Sequence, residues 1–320
     1  DANDLLLGDV TVVGALTATA LNGSITQTGA PDNIEVGGAT TVTATGDVTL
    51  DNAANDFMSV AGVADNMTLR DVDDLDLAGV NIFTGFGSLT VTAGSLTDTA
   101  ANYAGAVSLT VAGDVTLDNN NDFNSVAGTA GTLALRDVNN LILAGMTVGG
   151  GAGAMNMMIT GDLTDSAPNQ AGAVTLNVTG NAVLDDAAND FGSVAGFAAN
   201  LTVRDMDDLD LAGVNVGTGA GALNLTAGSL TDSAANFAGA VTLAVTGNAT
   251  LDNNNDFGSV AGSAANLILN DVDDLSLAGM TVGGGLGDLT VTAGSLTDAA
   301  GNSAGLFSLT VTGDVTLNDA

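Results

Sequence analysis

Apolar and polar positions alternate along this chain. Short triplets in which two apolar side chains flank a polar one recur throughout, among them Met67-Thr68-Leu69, Leu75-Asp76-Leu77, Leu89-Thr90-Val91, Leu109-Thr110-Val111 and Val115-Thr116-Leu117. Alternation at period two marks strands with one buried face, because successive side chains point to opposite sides. Between the triplets lie corners of Gly, Asn, Asp and Ser, residues that accept the backbone angles of tight turns. No stretch sustains the 3.6-residue period of an amphipathic helix. The pattern predicts an all-β chain of many short strands.

The strands repeat. Asn-Asp-Phe ends at Phe57, Phe123, Phe191 and Phe257, with spacings of 66, 68 and 66. Around it recur Ser-Val-Ala-Gly, a Leu-x-x-Arg-Asp segment, Leu-Ala-Gly and, at 94–98, 228–232 and 294–298, Gly-Ser-Leu-Thr-Asp. The copies come in two flavours. Phe57 and Phe191 follow six residues after Asp51 and Asp185, whereas Phe123 and Phe257 follow five after Asp118 and Asp252. The full period is therefore two copies, from Phe57 to Phe191 and from Phe123 to Phe257. Each copy divides into three segments of similar pattern, beginning in the first near Met67, Leu89 and Leu109. Segments that resemble their neighbours and carry two or three strands are the turns of a β-solenoid. The expectation is one continuous right-handed parallel β-helix over 1–320, with units starting near 57, 123, 191 and 257. It has roughly 14–15 turns of ~22 residues, three per repeat, stacked at ~4.8 Å over about 70 Å. An array of ~66-residue β-sandwiches fits less well, because it needs hairpins between adjacent strands.

Composition narrows the class. Apolar residues make up 46% of the 320, enough for a large core, while aromatics are only 3% and Gly numbers 44. Of 37 acidic residues all but Glu35 are Asp, a turn former rather than a helix former. The only bases are Arg70, Arg136 and Arg204, for a net charge of −34. Binding of nucleic acid or an anionic membrane surface needs clustered Lys and Arg and is excluded. With no Cys there is neither a disulfide framework nor a thiolate site. No run of 18 apolar residues is present for membrane insertion. No signal peptide is visible, and the chain begins and ends within a repeat, which reads as a segment of something longer.

Leu-Thr-Val-Thr-Ala-Gly-Ser-Leu-Thr-Asp at 289–298 and Leu-Thr-Val-Thr-Gly-Asp-Val-Thr-Leu at 309–317 resemble the repeat regions of filamentous haemagglutinin-like exoproteins and related large bacterial surface adhesins. The resemblance covers essentially the whole chain. It implies a secreted β-helix at the bacterial cell surface that spans distance and carries binding regions elsewhere. The family's secretion domain and membrane-anchoring barrel have no counterpart in these 320 residues.

Four chemistries fit parts of the pattern. Asp118, Asn120 and Asp122, and likewise Asp252, Asn254 and Asp256, place oxygen ligands at alternate positions like the first half of a calcium loop. The expected Gly is replaced by Phe123 or Phe257 and no closing Glu follows, so Asx corners with stacked amides fit the same residues. The acidic set Asp71, Asp73 and Asp74, with relatives at Asp205, Asp207, Asp208, Asp271, Asp273 and Asp274, reads as a solvated corner loosely paired with the neighbouring Arg. Paired carboxylates can do acid–base work. Here they recur in every copy, whereas an active site should break the repeat, so no enzyme is expected. Outward Thr pairs (Thr41/Thr43, Thr90/Thr92, Thr290/Thr292, Thr310/Thr312) suggest an ice-binding face, but segments such as Leu133-Ala134-Leu135-Arg136 interrupt it. No cofactor is required on this reading, Ca²⁺ aside. The function expected is a structural extracellular stalk or fibre; the alternatives are a self-assembling filament subunit, partnered by copies of itself, and a module binding host or surface glycans.

Overall fold

The computed structural model describes residues 3–83 and 86–318. The chain forms a parallel β-solenoid of about 16 turns, 69% strand, and divides into two compact units, 1–161 and 162–320. Helix among the described residues amounts to short 3₁₀ turns such as Gly149–Gly151, Gly217–Gly219 and Gly283–Gly285.

In the first unit the strands build two ladders. Ladder A stacks Leu16–Ala20, the second half of Ile34–Ala44, Asp56–Ala64, Asp74–Ile82, Ser95–Ala100, the start of Val115–Ala130, Leu133–Asp137 and Ala154–Ile159. Ladder B stacks Leu5–Leu7, Ile25–Gln27, Val48–Leu50, Met67–Arg70, Ser88–Ala93, Tyr103–Val111, the end of Val115–Ala130 and Leu141–Val148. The chain visits the ladders alternately, so two main strands make one turn. Successive ladder B partners Val48, Met67, Leu89, Val107 and Val126 mostly lie closer together in the chain than the expected turn of ~22 residues. Turns are therefore shorter and more numerous than the sequence pattern suggests.

The repeat does not hold three turns. From Met67 to its counterpart Leu133 the chain passes Leu75, Leu89, Leu96, Val107, Val115 and Val126, which is seven half-turns. The second unit gives the same count from Leu201 through Leu209, Leu223, Leu230, Val241, Ala249 and Val260 to Leu267. Strands such as Leu75-Asp76-Leu77 read in the sequence as the second leg of a segment, yet they are members of the other ladder. A copy of three and a half turns ends on the ladder opposite its start, and two copies are needed for a whole number of turns. This is the physical basis of the two-copy period.

The core follows from the alternation. Inward Leu, Val and Ile are fully buried, as are Phe57, Phe123, Phe191 and Phe257, the largest side chains in it. Ser-Val-Ala-Gly owes its glycine to close stacking: a Cβ on Gly128 would lie 1.9 Å from the Leu109 carbonyl oxygen, and one on Gly262 2.0 Å from that of Leu243. Leu-Ala-Gly, stacked on it, carries a bulge. Val60 pairs Leu77 and Gly62 pairs Val80, so Ala78 and Gly79 together face Ala61, with Gly79 at φ +98°.

Candidate functional site: the acidic corner

Each copy places one aspartate inside the protein. Asp71, Asp137, Asp205 and Asp271 are 4%, 0%, 4% and 3% exposed. Their Oδ2 atoms accept the backbone N–H of Phe57, Phe123, Phe191 and Phe257 at 2.6, 2.7, 2.6 and 2.7 Å. Their Oδ1 atoms accept the N–H of Asp73, Asn139, Asp207 and Asp273 at 2.8–3.1 Å. The solvated corner expected at Asp71, Asp205 and Asp271 is thus corrected for the first residue of each set, whereas Asp73, Asp74, Asp207, Asp208, Asp273 and Asp274 are exposed. Orphan backbone donors inside the corner explain the difference, since the carboxyl supplies acceptors to two buried N–H groups that would otherwise be unpaired. Burial pushes all four carboxyls up to about 6, against the opposing pull of the two backbone N–H groups. The constant offset from each Phe to its Asp was the available sequence signal.

A second buried polar set lies alongside. Asn121 Nδ2 donates to Asp98 Oδ2 at 2.8 Å and to the Leu117 and Asn119 carbonyls, while its Oδ1 accepts the Asn102 backbone N–H at 2.8 Å. Asn102 Oδ1 in turn accepts the Val80 N–H at 2.8 Å. Asn255, Asp232 and Asn236 repeat the arrangement in the second unit. These amides, not their neighbours, occupy the interior. Asp118 and Asn120 are exposed and Asp122 half-buried, as are Asp252, Asn254 and Asp256 in the same order. Each trio lies within one strand, Val115–Ala130 or Ala249–Ala264, where the chain bends from one ladder to the other and its register shifts between Leu117 and Asn121 or between Leu251 and Asn255.

The outward Thr ranks are broken. Thr26, Thr49, Thr68, Thr90 and Ser108 stack in register before Ala127, while Thr41/Thr43 give way to Ala61/Val63 and Thr290/Thr292 follow Ile268/Asn270.

The family model for repeats of unknown function DUF5649 matches residues 1–64, 64–130, 130–197 and 198–263. The chain belongs to this family. No curated protein and no solved structure matches it. The DUF5649 boundaries fall just after each Ser-Val-Ala-Gly, and the strand pattern continues through the residues beyond 263.

The two flavours of DUF5649 copy differ at the acidic corner. Flavour two passes through it within one unbroken 16-residue strand whose register shifts there. Flavour one has an extra residue, with Ala53-Ala54 or Ala187-Ala188 where flavour two has Asn120 or Asn254, and it turns there through Asn55 N–H to Asn52 O and Asn189 N–H to Asp186 O. In flavour one, Asp56, Asp71 and Asp73, and Asp190, Asp205 and Asp207, bring carboxylate oxygens within 4.8 Å of one another. An oxygen-only set of this kind suits a hard divalent cation better than a transition metal. Arg70, Arg136 and Arg204 stand exposed at the strand ends just before the buried aspartates.

Proposed function

We propose that this chain is a structural extracellular scaffold, a stalk or fibre segment of a large bacterial surface adhesin or exoprotein. The observation that carries the reading is the fidelity of repetition. The four Phe–Asp hydrogen bonds measure 2.6, 2.7, 2.6 and 2.7 Å, and the Asn–Asp set recurs in both units, as interchangeable structural modules require. Repeat solenoids gain stability copy by copy, so length can grow without redesign of the core. The strong acidity fits a surface that resists collapse onto its neighbours.

Two measurements test this. Antibody labelling and protease shaving of intact cells of the source bacterium should reach the chain at the surface; protection in intact cells with exposure after lysis would overturn the reading. Electron microscopy at rising protein concentration should show separate particles of constant length. Particles that lengthen with concentration would make the chain a filament subunit instead.

A further inference from the structure

The second unit contains a shallow groove of about 210 Å³ where the flavour-one corner opens, lined by Ala187, Arg204, Asp205, Met206, Thr226 and Thr246 among others. We propose that this groove binds one hexose unit of a neutral oligosaccharide, and that the matching corner at Arg70 is a weaker copy. This goes beyond the scaffold reading and does not depend on it.

Size comes first. Drug-sized ligands occupy ~300–1,000 Å³, so a groove of this volume suits a single sugar ring. Its chemistry is mixed. Arg204 presents a planar fork of N–H donors, the two Thr hydroxyls both donate and accept, and Met206, 55% exposed, offers an apolar surface for a ring face. Charge selects among ligands. A net charge of −34 repels anions over long range. A polyhydroxylated neutral molecule meets donors and acceptors without that penalty.

The flavours explain why the groove is open here. In the last copy Asn270 stands in the place of the Arg and donates to the Asp252 carbonyl at 3.2 Å and to Asn254 Oδ1 at 3.4 Å, so the chain's own amides fill that space. The Arg204 copy has Ala187-Ala188 instead of Asn254. At Arg70 the equivalents are Ala53, Asp71, Val72 and Thr92, but Ala112 replaces Thr246 and one hydroxyl is lost. Arg136 belongs to flavour two and has Asn120 in the place of the open corner.

Because the chain has three arginines, its Nε–Hε NMR signals number three and report each corner separately. The ¹⁵N-labelled chain is titrated with maltohexaose, cellohexaose and mannohexaose, and with polygalacturonate as the anionic control. At least one neutral hexaose should shift Arg204 first and Arg70 at higher concentration, leaving Arg136 in place. Arg204→Ala, at an exposed side chain and followed by the backbone amide signal of Thr226, should weaken the tighter phase about tenfold, the loss of a charge-assisted hydrogen bond or two. Thr246→Ala should bring the Arg204 corner to the affinity of the Arg70 corner. Ala187→Asn, which borrows the residue of flavour two, should abolish the shift. The proposal is overturned if no signal moves with any neutral hexaose, if all three move together, or if polygalacturonate displaces Arg204 in preference. None of these outcomes bears on the cell-surface and microscopy tests of the scaffold.

Discussion

Two kinds of residue carry constraints that their neighbours cannot absorb. Gly128 and Gly262 lie under a carbonyl of the preceding turn at φ +120° and +111°. Gly128→Ala would therefore combine a backbone clash with a disfavoured angle, and should cost about 3 kcal/mol or more in chemical denaturation. Gly150→Ala, where a Cβ meets nothing within 4 Å but φ is +62°, should cost only the angle, about 1 kcal/mol. The buried aspartates act through pH. Each has a folded pKa of about 6 against an ordinary 3.8, so between those values the folded state binds more protons than the unfolded. Their contribution is fully present below about pH 4 and is lost as pH rises through about 6. At high salt, which screens the surface carboxylates, the melting temperature should climb as pH is lowered from 7 toward 4. Asp137→Asn should flatten that slope by about a quarter, since one of four equivalent groups is removed. A melting temperature that falls over this range would contradict the assignment. An Asp-rich corner looks uniform in sequence and so reads as solvated acid throughout. The distinction between Asp71 and Asp73 lies in which backbone N–H groups face inward, and only the stacked turns set that.

At the scale of the element, alternation was legible and connectivity was not. Met67-Thr68-Leu69 and Leu75-Asp76-Leu77 both read as half-buried strands, and both are. Sequence period cannot say whether two such strands share a ladder, because it encodes which face is buried and not which neighbour stacks above. Three and a half turns per copy follows instead from register, and it is directly measurable in a chain without cysteine. Within the first unit Thr68 stacks through Thr90 and Ser108 onto Ala127 along ladder B, three turns or ~14 Å away. Ala134, the sequence counterpart of Thr68, lies on ladder A beside Thr116. Spin labels at Thr68→Cys and Ala127→Cys should report a short separation, and labels at Thr68→Cys and Ala134→Cys a distinctly longer one. Equal distances would restore three turns per copy. The Asn121 set tests the same elements energetically. Asn121→Ala removes one of the donors to the Asp98 carboxylate and leaves the Asn102 N–H without its acceptor, a loss of about 1–3 kcal/mol, whereas exposed Asn120→Ala should fall within about 0.5 kcal/mol of the parent.

For the molecule as a whole the largest influence outside the core is charge. Thirty-seven carboxylates against three guanidinium groups leave strong self-repulsion in the folded state, only partly present in the expanded unfolded chain. Added NaCl should raise the melting temperature as the screening length falls from ~30 Å at 0.01 M to ~10 Å at 0.1 M. Divalent ions should do more than ionic strength alone, because the flavour-one corners hold three carboxylate oxygens within 4.8 Å while folded and scatter them when unfolded. At matched ionic strength, millimolar CaCl₂ should therefore add a few degrees beyond NaCl, reversed by chelator. Two pairs of variants locate the effect. If the convergent corners bind the ion, Asp73→Asn with Asp207→Asn should remove the calcium increment and keep the salt response. If the outer strand face binds it, Asp118→Asn with Asp252→Asn should do so instead. Geometry favours the first pair, since its carboxylate oxygens already lie within 4.8 Å of one another and lose less on closing around a cation. A melting curve indifferent to salt, calcium and chelator alike would mean that the carboxylates are too dispersed for their repulsion to matter, and would remove charge from the account of this fold's stability.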